Sequence, residues 1–161
     1  MKSTCFKTVP LWLVLLDNIP TLSMYVLGTL IISKSSILFA ILYVLYSLLS
    51  IVWFWAKICP HCNYHGTSGC PCGYGKISGL LFKKRNSTAF RKIFKRNIIA
   101  VYPSWFIPPV FGIYLLLCSY STGYMVLNVS FALVAFVLIP LISKKVGCKD
   151  CAIREDCPWV N

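Results

Sequence analysis

Seven of the nine cysteines fall into two tight groups whose spacing suits a soft metal. The first group, Cys59-Pro60-His61-Cys62 followed by Cys70-Pro71-Cys72, reads C-x2-C-x7-C-x-C. The second, Cys148, Cys151 and Cys157, reads C-x2-C-x5-C. Four thiolates at the first spacing suffice for one tetrahedral zinc ion or one iron–sulfur cluster. Gly66, Gly69, Gly73 and Gly75 surround them, and such glycines let the backbone turn tightly enough to aim amides at sulfur. If Cys59, Cys62, Cys70 and Cys72 close one site, the tail keeps three thiolates and needs His61, His65, Asp150 or an exogenous group as a fourth. Alternatively, one cluster draws ligands from both groups and leaves several thiols over.

Each group begins where an apolar span ends. The 161 residues are 58% apolar, with a mean hydropathy of +0.73 and only four acids, far more apolar surface than a soluble domain of this length buries. Four runs, 9–33, 37–58, 98–118 and 123–142, are long enough to cross a hydrocarbon core roughly 30 Å thick at about 1.5 Å per helical residue. The connections 34–36 and 119–122 are too short for anything but a turn, so the spans pair as two hairpins. The expected fold is an all-α integral membrane protein of four transmembrane helices. Residues 1–58 form the first hairpin, 59–97 a Cys-rich and basic loop, 98–142 the second hairpin, and 143–161 a Cys-rich tail. The first run is too long, and too closely followed by the second, to be a cleavable signal peptide.

Charge orients the hairpins. Of sixteen Lys and Arg, only Lys34 lies at the end carrying the two short turns. By the positive-inside rule both termini and the 59–97 loop face the cytoplasm, giving a multi-pass cell-membrane protein. Cytosolic thiols stay reduced, so clustered cysteines there indicate a metal or catalytic site rather than disulfides. Cys5 and Cys118 stand alone, and Cys118 is expected to pack as a small buried hydrophobe.

Over Gly147–Pro158 the tail resembles the iron–sulfur loop of helix-hairpin-helix DNA glycosylases and the auxiliary-cluster segment of some radical-SAM maturases. The resemblance implies three thiolate ligands to a [4Fe-4S] cluster. The first cysteine of the glycosylase loop would fall at Leu141, inside the last span, so a fourth ligand has to come from elsewhere. Cys59-Pro60-His61-Cys62 in turn is similar to the active site of oxidising thioredoxin-like proteins, where a helix N-terminus lowers the first thiol's pKa. Here the motif follows a helix C-terminus, whose dipole acts in the opposite sense. Four-helix quinone-coupled disulfide oxidases are about this size, yet their working cysteines face the oxidising side.

The loop also concentrates charge. Lys76, Lys83, Lys84, Arg85, Arg91, Lys92, Lys95 and Arg96 crowd it, and no acid occurs between Asp17 and Asp150. Phe90, Ile93, Phe94 and Ile98 recur at helical spacing opposite Arg91, Lys92, Lys95 and Arg96, with Ser87 or Thr88 as N-cap. This predicts an amphipathic interfacial helix lying on anionic lipid headgroups, held by Lys83, Lys84, Arg85, Arg91, Lys92, Lys95 and Arg96. Docking of an acidic soluble electron carrier, or of other subunits of a membrane complex, is the sharper alternative. Nucleic acid is not expected, because no aromatic platform or groove-reading fold accompanies the charge.

Within the spans, Asp17 lies about 12 Å from the start of the first run by helical rise, beside Asn18 and ahead of Pro20. A carboxylate at that depth is costly, and proton transfer or a quinone hydrogen bond would make it the catalytic candidate of the chain. The alternative places residues 9–16 along the interface, with Asp17 and Asn18 capping a helix from Ile19. Pro103, Pro108 and Pro109 must bend the third span and free carbonyls that a neighbouring helix or a bound group has to satisfy. Trp53, Trp55, Tyr102 and Trp105 are placed as an aromatic belt at the cytoplasmic boundary.

No haem is expected, because the only histidines, His61 and His65, lie in the loop. A phosphate-binding glycine loop with its lysine is also lacking, which argues against ATP hydrolysis. The expected function is therefore an iron–sulfur electron-transfer or anchor subunit. A zinc-stabilised membrane scaffold or assembly protein and a cytosol-facing thiol-disulfide oxidoreductase are the alternatives.

Overall fold

The computed structural model describes residues 8–87 and 90–147. Every regular element among them is helical: α1 Leu11–Ser33, α2 Ile37–Lys57, α3 Tyr74–Leu81, α4 Phe90–Ile98, α5 Pro103–Cys118, α6 Thr122–Ala132 and α7 Ile139–Ile142. The ladder between α6 and α7, Leu133–Leu138, is π-helical, and so is Ser143–Gly147 beyond α7. The first of these wide turns lies directly ahead of Pro140, which has no N–H to continue a regular ladder. Taken as continuous stretches, Leu11–Ser33, Ile37–His61, Phe90–Cys118 and Thr122–Lys145 are four helices long and apolar enough to cross a membrane.

α1 is the hub and packs against α2, α5, α6 and α7. Its Met24 and Ile31 join Leu115 of α5, Phe131 of α6, Ala135 and Ile139 in one core, while Ile32 meets Ala40 and Tyr43 of α2 in a second. Only 17% to 28% of each span's most apolar window is buried in the protein, so most apolar side chains face outward and need an apolar surrounding. Gly28 sets the closest approach. A Cβ there would stand 2.6 Å from Tyr43 Oη and 2.8 Å from Pro108 Cγ, so α1, α2 and α5 meet at a point that admits no side chain.

The proline-freed carbonyl is satisfied at the same node. Pro108 cannot donate to Ser104 O, and Tyr43 Oη of α2 does so instead, at 2.9 Å and fully buried. One turn nearer the loop, Tyr46 Oη donates to Ala100 O at 2.6 Å. Tyr43→Phe leaves Ser104 O without a donor where water is scarce, and should lower stability by about 1 to 2 kcal/mol. A denaturation titration in mixed detergent micelles checks this. Tyr46→Phe should cost less, because its bond is only partly buried.

Several expectations change. α1 runs unbroken from Leu11 through Pro20 with Pro10 at its N-cap, so Asp17 and Asn18 are interior helical residues and cap nothing. The third span's own helix starts at Pro103 rather than residue 98, because Pro103 is suited to the first turn of a helix and the chain turns after Ile98. The aromatic belt divides. Trp53 and Tyr102 face outward, whereas Trp55 packs edge-on against Tyr74 and Trp105 against Phe136. Cys118 is exposed, not buried, since it ends α5 where no other element covers it.

Candidate functional site

The cap begins as α2 ends. Ile58 N–H bonds Phe54 O, a single 3₁₀ turn follows over Cys59–His61, and Cys62 N–H closes on Cys59 O at 3.0 Å. Pro60 favours this tight turn because its φ is fixed and its missing N–H is not needed there. A second turn places His65 N–H on Cys62 O at 3.1 Å, and Gly66 N–H then reaches Gly75 O at 2.9 Å. At Cys70-Pro71-Cys72 the chain turns again, with Gly73 N–H on Cys70 O at 3.0 Å. Gly66 and Gly73 adopt φ of 76° and 73°, values that only glycine takes without strain, and Gly73 opens α3.

Two of the long apolar helices hold these turns. From α1, Asn18 Nδ2 donates to Cys72 O at 3.0 Å, and just ahead of it Val9 N–H donates to Ser68 O at 2.9 Å. On α2, Ser78 Oγ donates to Trp55 O at 2.7 Å, and Tyr74 sits edge-on to both Phe54 and Trp55 with ring centroids 5.9 Å apart. Arg85 N–H bonds Pro60 O at 2.9 Å and ties the far end of the loop back to its start. The cap therefore clamps the start of α1 to the end of α2. Residues 9–18 stand beside it, which brings Asp17 near Cys72.

Cys59 and Cys70 are 5% and 8% exposed, and no disulfide joins any of the described cysteines. Cys70 Sγ and Cys72 Sγ lie 3.6 Å apart. The thiol of Cys72 and the amides of Gly75, Cys72 and Gly73 donate to Cys70 Sγ, and together they outweigh burial and push the Cys70 thiol down to about 7. Cys72 is pushed up, because it is the donor in that bond, is buried, and stands near Cys70, Asp17 and Cys59. The pair is thus a close sulfur–sulfur contact in which three amides favour the charged form of Cys70.

Among the described residues, no three His, Cys, Asp or Glu side chains converge as a group able to hold a metal ion. Cys59, Cys62, Cys70 and Cys72 share one cap, where Cys59 stands near Cys62, Cys70 and Cys72, and Cys70 and Cys72 stand as an opposed pair. Cys5, Cys148, Cys151, Cys157 and Asp150, with Thr88, lie outside the described residues. His61 Nδ1 is engaged at 2.7 Å with Asn86 O. His65 is buried, and its Nε2 has no hydrogen-bond partner among the described residues.

The basic residues Lys83, Lys84, Arg85, Arg91, Lys92, Lys95 and Arg96 are all exposed. α4 is amphipathic as its spacing predicts, but its apolar stripe is already used. Phe90, Phe94 and Ile98 pack on Ile58, with Phe54, Cys62 and Val101 alongside, so this stripe covers the end of α2 and is not free to enter lipid. The exposed apolar stripe of the loop is on α3, where Ile77, Leu80 and Leu81 point away from the protein. Their i, i+3, i+4 spacing was the available signal, masked by the glycines around them.

Comparison with protein-family models, with curated proteins and with solved structures finds no match to this chain.

Proposed function

We propose that this chain is a multi-pass membrane protein whose cysteine cap ligates a metal at the cytoplasmic surface, with an iron–sulfur cluster as the bound group and electron transfer, or anchoring of a redox complex, as its role. The carrying observation is the Cys70–Cys72 pair. Its 3.6 Å separation approaches the roughly 3.8 Å between two sulfurs of a tetrahedral site with metal–sulfur bonds of about 2.3 Å. Amides from Cys72, Gly73 and Gly75 aimed at Cys70 supply the hydrogen bonds that thiolate ligands need in either a zinc knuckle or a cluster loop. Binding of a soft cation would release the thiol protons of its ligands. Cys59 and Cys62, or the tail cysteines Cys148, Cys151 and Cys157, would complete the ligand set, and the tail's spacing favours a cluster. The bound group would supply one-electron chemistry, while the cap shields it and couples it to α1 and α2. The basic face supports a cytoplasmic orientation.

A structural zinc site is the second reading, favoured by the burial of Cys59 and Cys70 and by the cap's role as a clamp between two spanning helices. That same burial weighs against thiol-disulfide exchange, which requires an accessible attacking sulfur. Anaerobic purification followed by UV-visible and EPR spectroscopy separates the two metals. A coloured protein with a reducible paramagnetic signal supports the cluster. A colourless protein with bound zinc and no iron supports the scaffold and rules out electron transfer through this cap.

A further inference from the structure

α3 turns two faces to two surroundings. Gly75 and Ser78 are buried toward the end of α2, where Ser78 Oγ is bonded to Trp55 O. On the opposite side Ile77, Leu80 and Leu81 are exposed, Leu80 by 80% and Leu81 by 61%. Lys83, Lys84 and Arg85 follow at once, all exposed, and Asp17 is the only acid among the described residues. The bond to Trp55 sets the height of α3 at the last turns of α2. There Val52 and Trp53 are exposed, and the Lys57 ammonium lies 5.4 Å from the centre of the Trp53 ring. An apolar triplet next to a cationic triplet, at the level where an apolar span meets its aromatic and basic end, matches the acyl–headgroup boundary in both polarity and charge.

The geometry points to α3 as a second membrane contact of the cap. Ile77, Leu80 and Leu81 enter the boundary of the bilayer that the four spans cross, and Lys83, Lys84 and Arg85 bind the phosphates of its anionic lipids. This rests on the membrane-spanning reading and is independent of the metal. It also assigns the lipid-inserting role to α3 rather than α4, whose apolar stripe is consumed by Phe54 and Ile58. Seated in this way, the cap is fixed to the bilayer surface as well as to α1 and α2.

The test is photocrosslinking of the full chain in nanodiscs of mixed phosphatidylcholine and phosphatidylglycerol. p-Benzoylphenylalanine replaces Leu80, and in a separate variant Leu45, an exposed residue in the middle of α2, as a control. Illumination followed by mass spectrometry should give a phospholipid adduct at position 80, enriched for phosphatidylglycerol over its share of the bilayer. Adding K83Q/K84Q/R85Q should reduce that enrichment at least about fivefold while leaving the adduct at position 45 unchanged. Crosslinks from position 80 to a second copy or to another polypeptide overturn the inference. So does the lack of any adduct at 80 while 45 captures lipid, and so does lipid capture at 80 with no anionic preference. If neither position captures lipid, the membrane-spanning reading itself fails.

Discussion

Replacing Cys72 with serine in the full chain should lower bound metal at least about tenfold while leaving the helical content unchanged. Cys72 Sγ stands 3.6 Å from Cys70 Sγ as half of an opposed thiol pair, and a serine hydroxyl is a hard, reluctantly ionised donor that soft metals disfavour. The fold should survive, because Cys72 meets α1 through its backbone carbonyl, which still accepts from Asn18 Nδ2 at 3.0 Å. Cys70→Ser should act at least as strongly, since it also removes the sulfur to which the amides of Cys72, Gly73 and Gly75 are directed. Cys118→Ser, at the opposite end of α5, should change nothing. Metal per chain by elemental analysis, with circular dichroism on the same samples, checks the series. Wild-type metal in Cys72→Ser would show that the pair is not a ligand pair.

The second large effect is expected at Gly28. Even alanine there puts a Cβ 2.6 Å from Tyr43 Oη and 2.8 Å from Pro108 Cγ. Neither neighbour is a loose end, since Tyr43 Oη is bonded to Ser104 O and the proline ring is rigid. The helices must part, at a cost of about 1 to 3 kcal/mol for the methyl group and more for leucine. Part of that cost is the Tyr43–Ser104 bond itself. Gly28→Ala and Tyr43→Phe should therefore be less than additive, with the double variant more stable than the sum of the single losses implies. Strict additivity in a detergent denaturation cycle would separate the two residues and contradict a shared node.

What could be read from the chain follows from which forces act locally. The four long apolar helices were legible because their length and hydropathy leave little choice, and so was the need for a donor near Pro108, since a missing N–H always frees the carbonyl four residues back. That Tyr43 meets this need was not legible, because it depends on how closely α1 and α2 approach at Gly28. The neighbours of Asp17 were not legible, because helical rise gives its distance along the first run and not what packs beside it. The cap docks alongside α1 through Asn18 and Val9, which brings Cys72 near the carboxylate. The α4 stripe was correctly periodic, yet periodicity cannot say whether an apolar face meets lipid or protein, and here it meets Ile58. The cysteine groups were plain in the sequence. Their pairing was not, because it depends on turns set by the left-handed Gly66 and Gly73, which bring Cys70 Sγ and Cys72 Sγ to 3.6 Å.

The most direct test is the metal content of the chain, purified anaerobically in detergent and measured as iron, acid-labile sulfide and zinc per chain. Iron and sulfide in equal amounts, close to four of each per chain for a single [4Fe-4S] cluster, is the predicted result. Protein that is fully folded and carries neither iron nor zinc would contradict a metal-ligating cap.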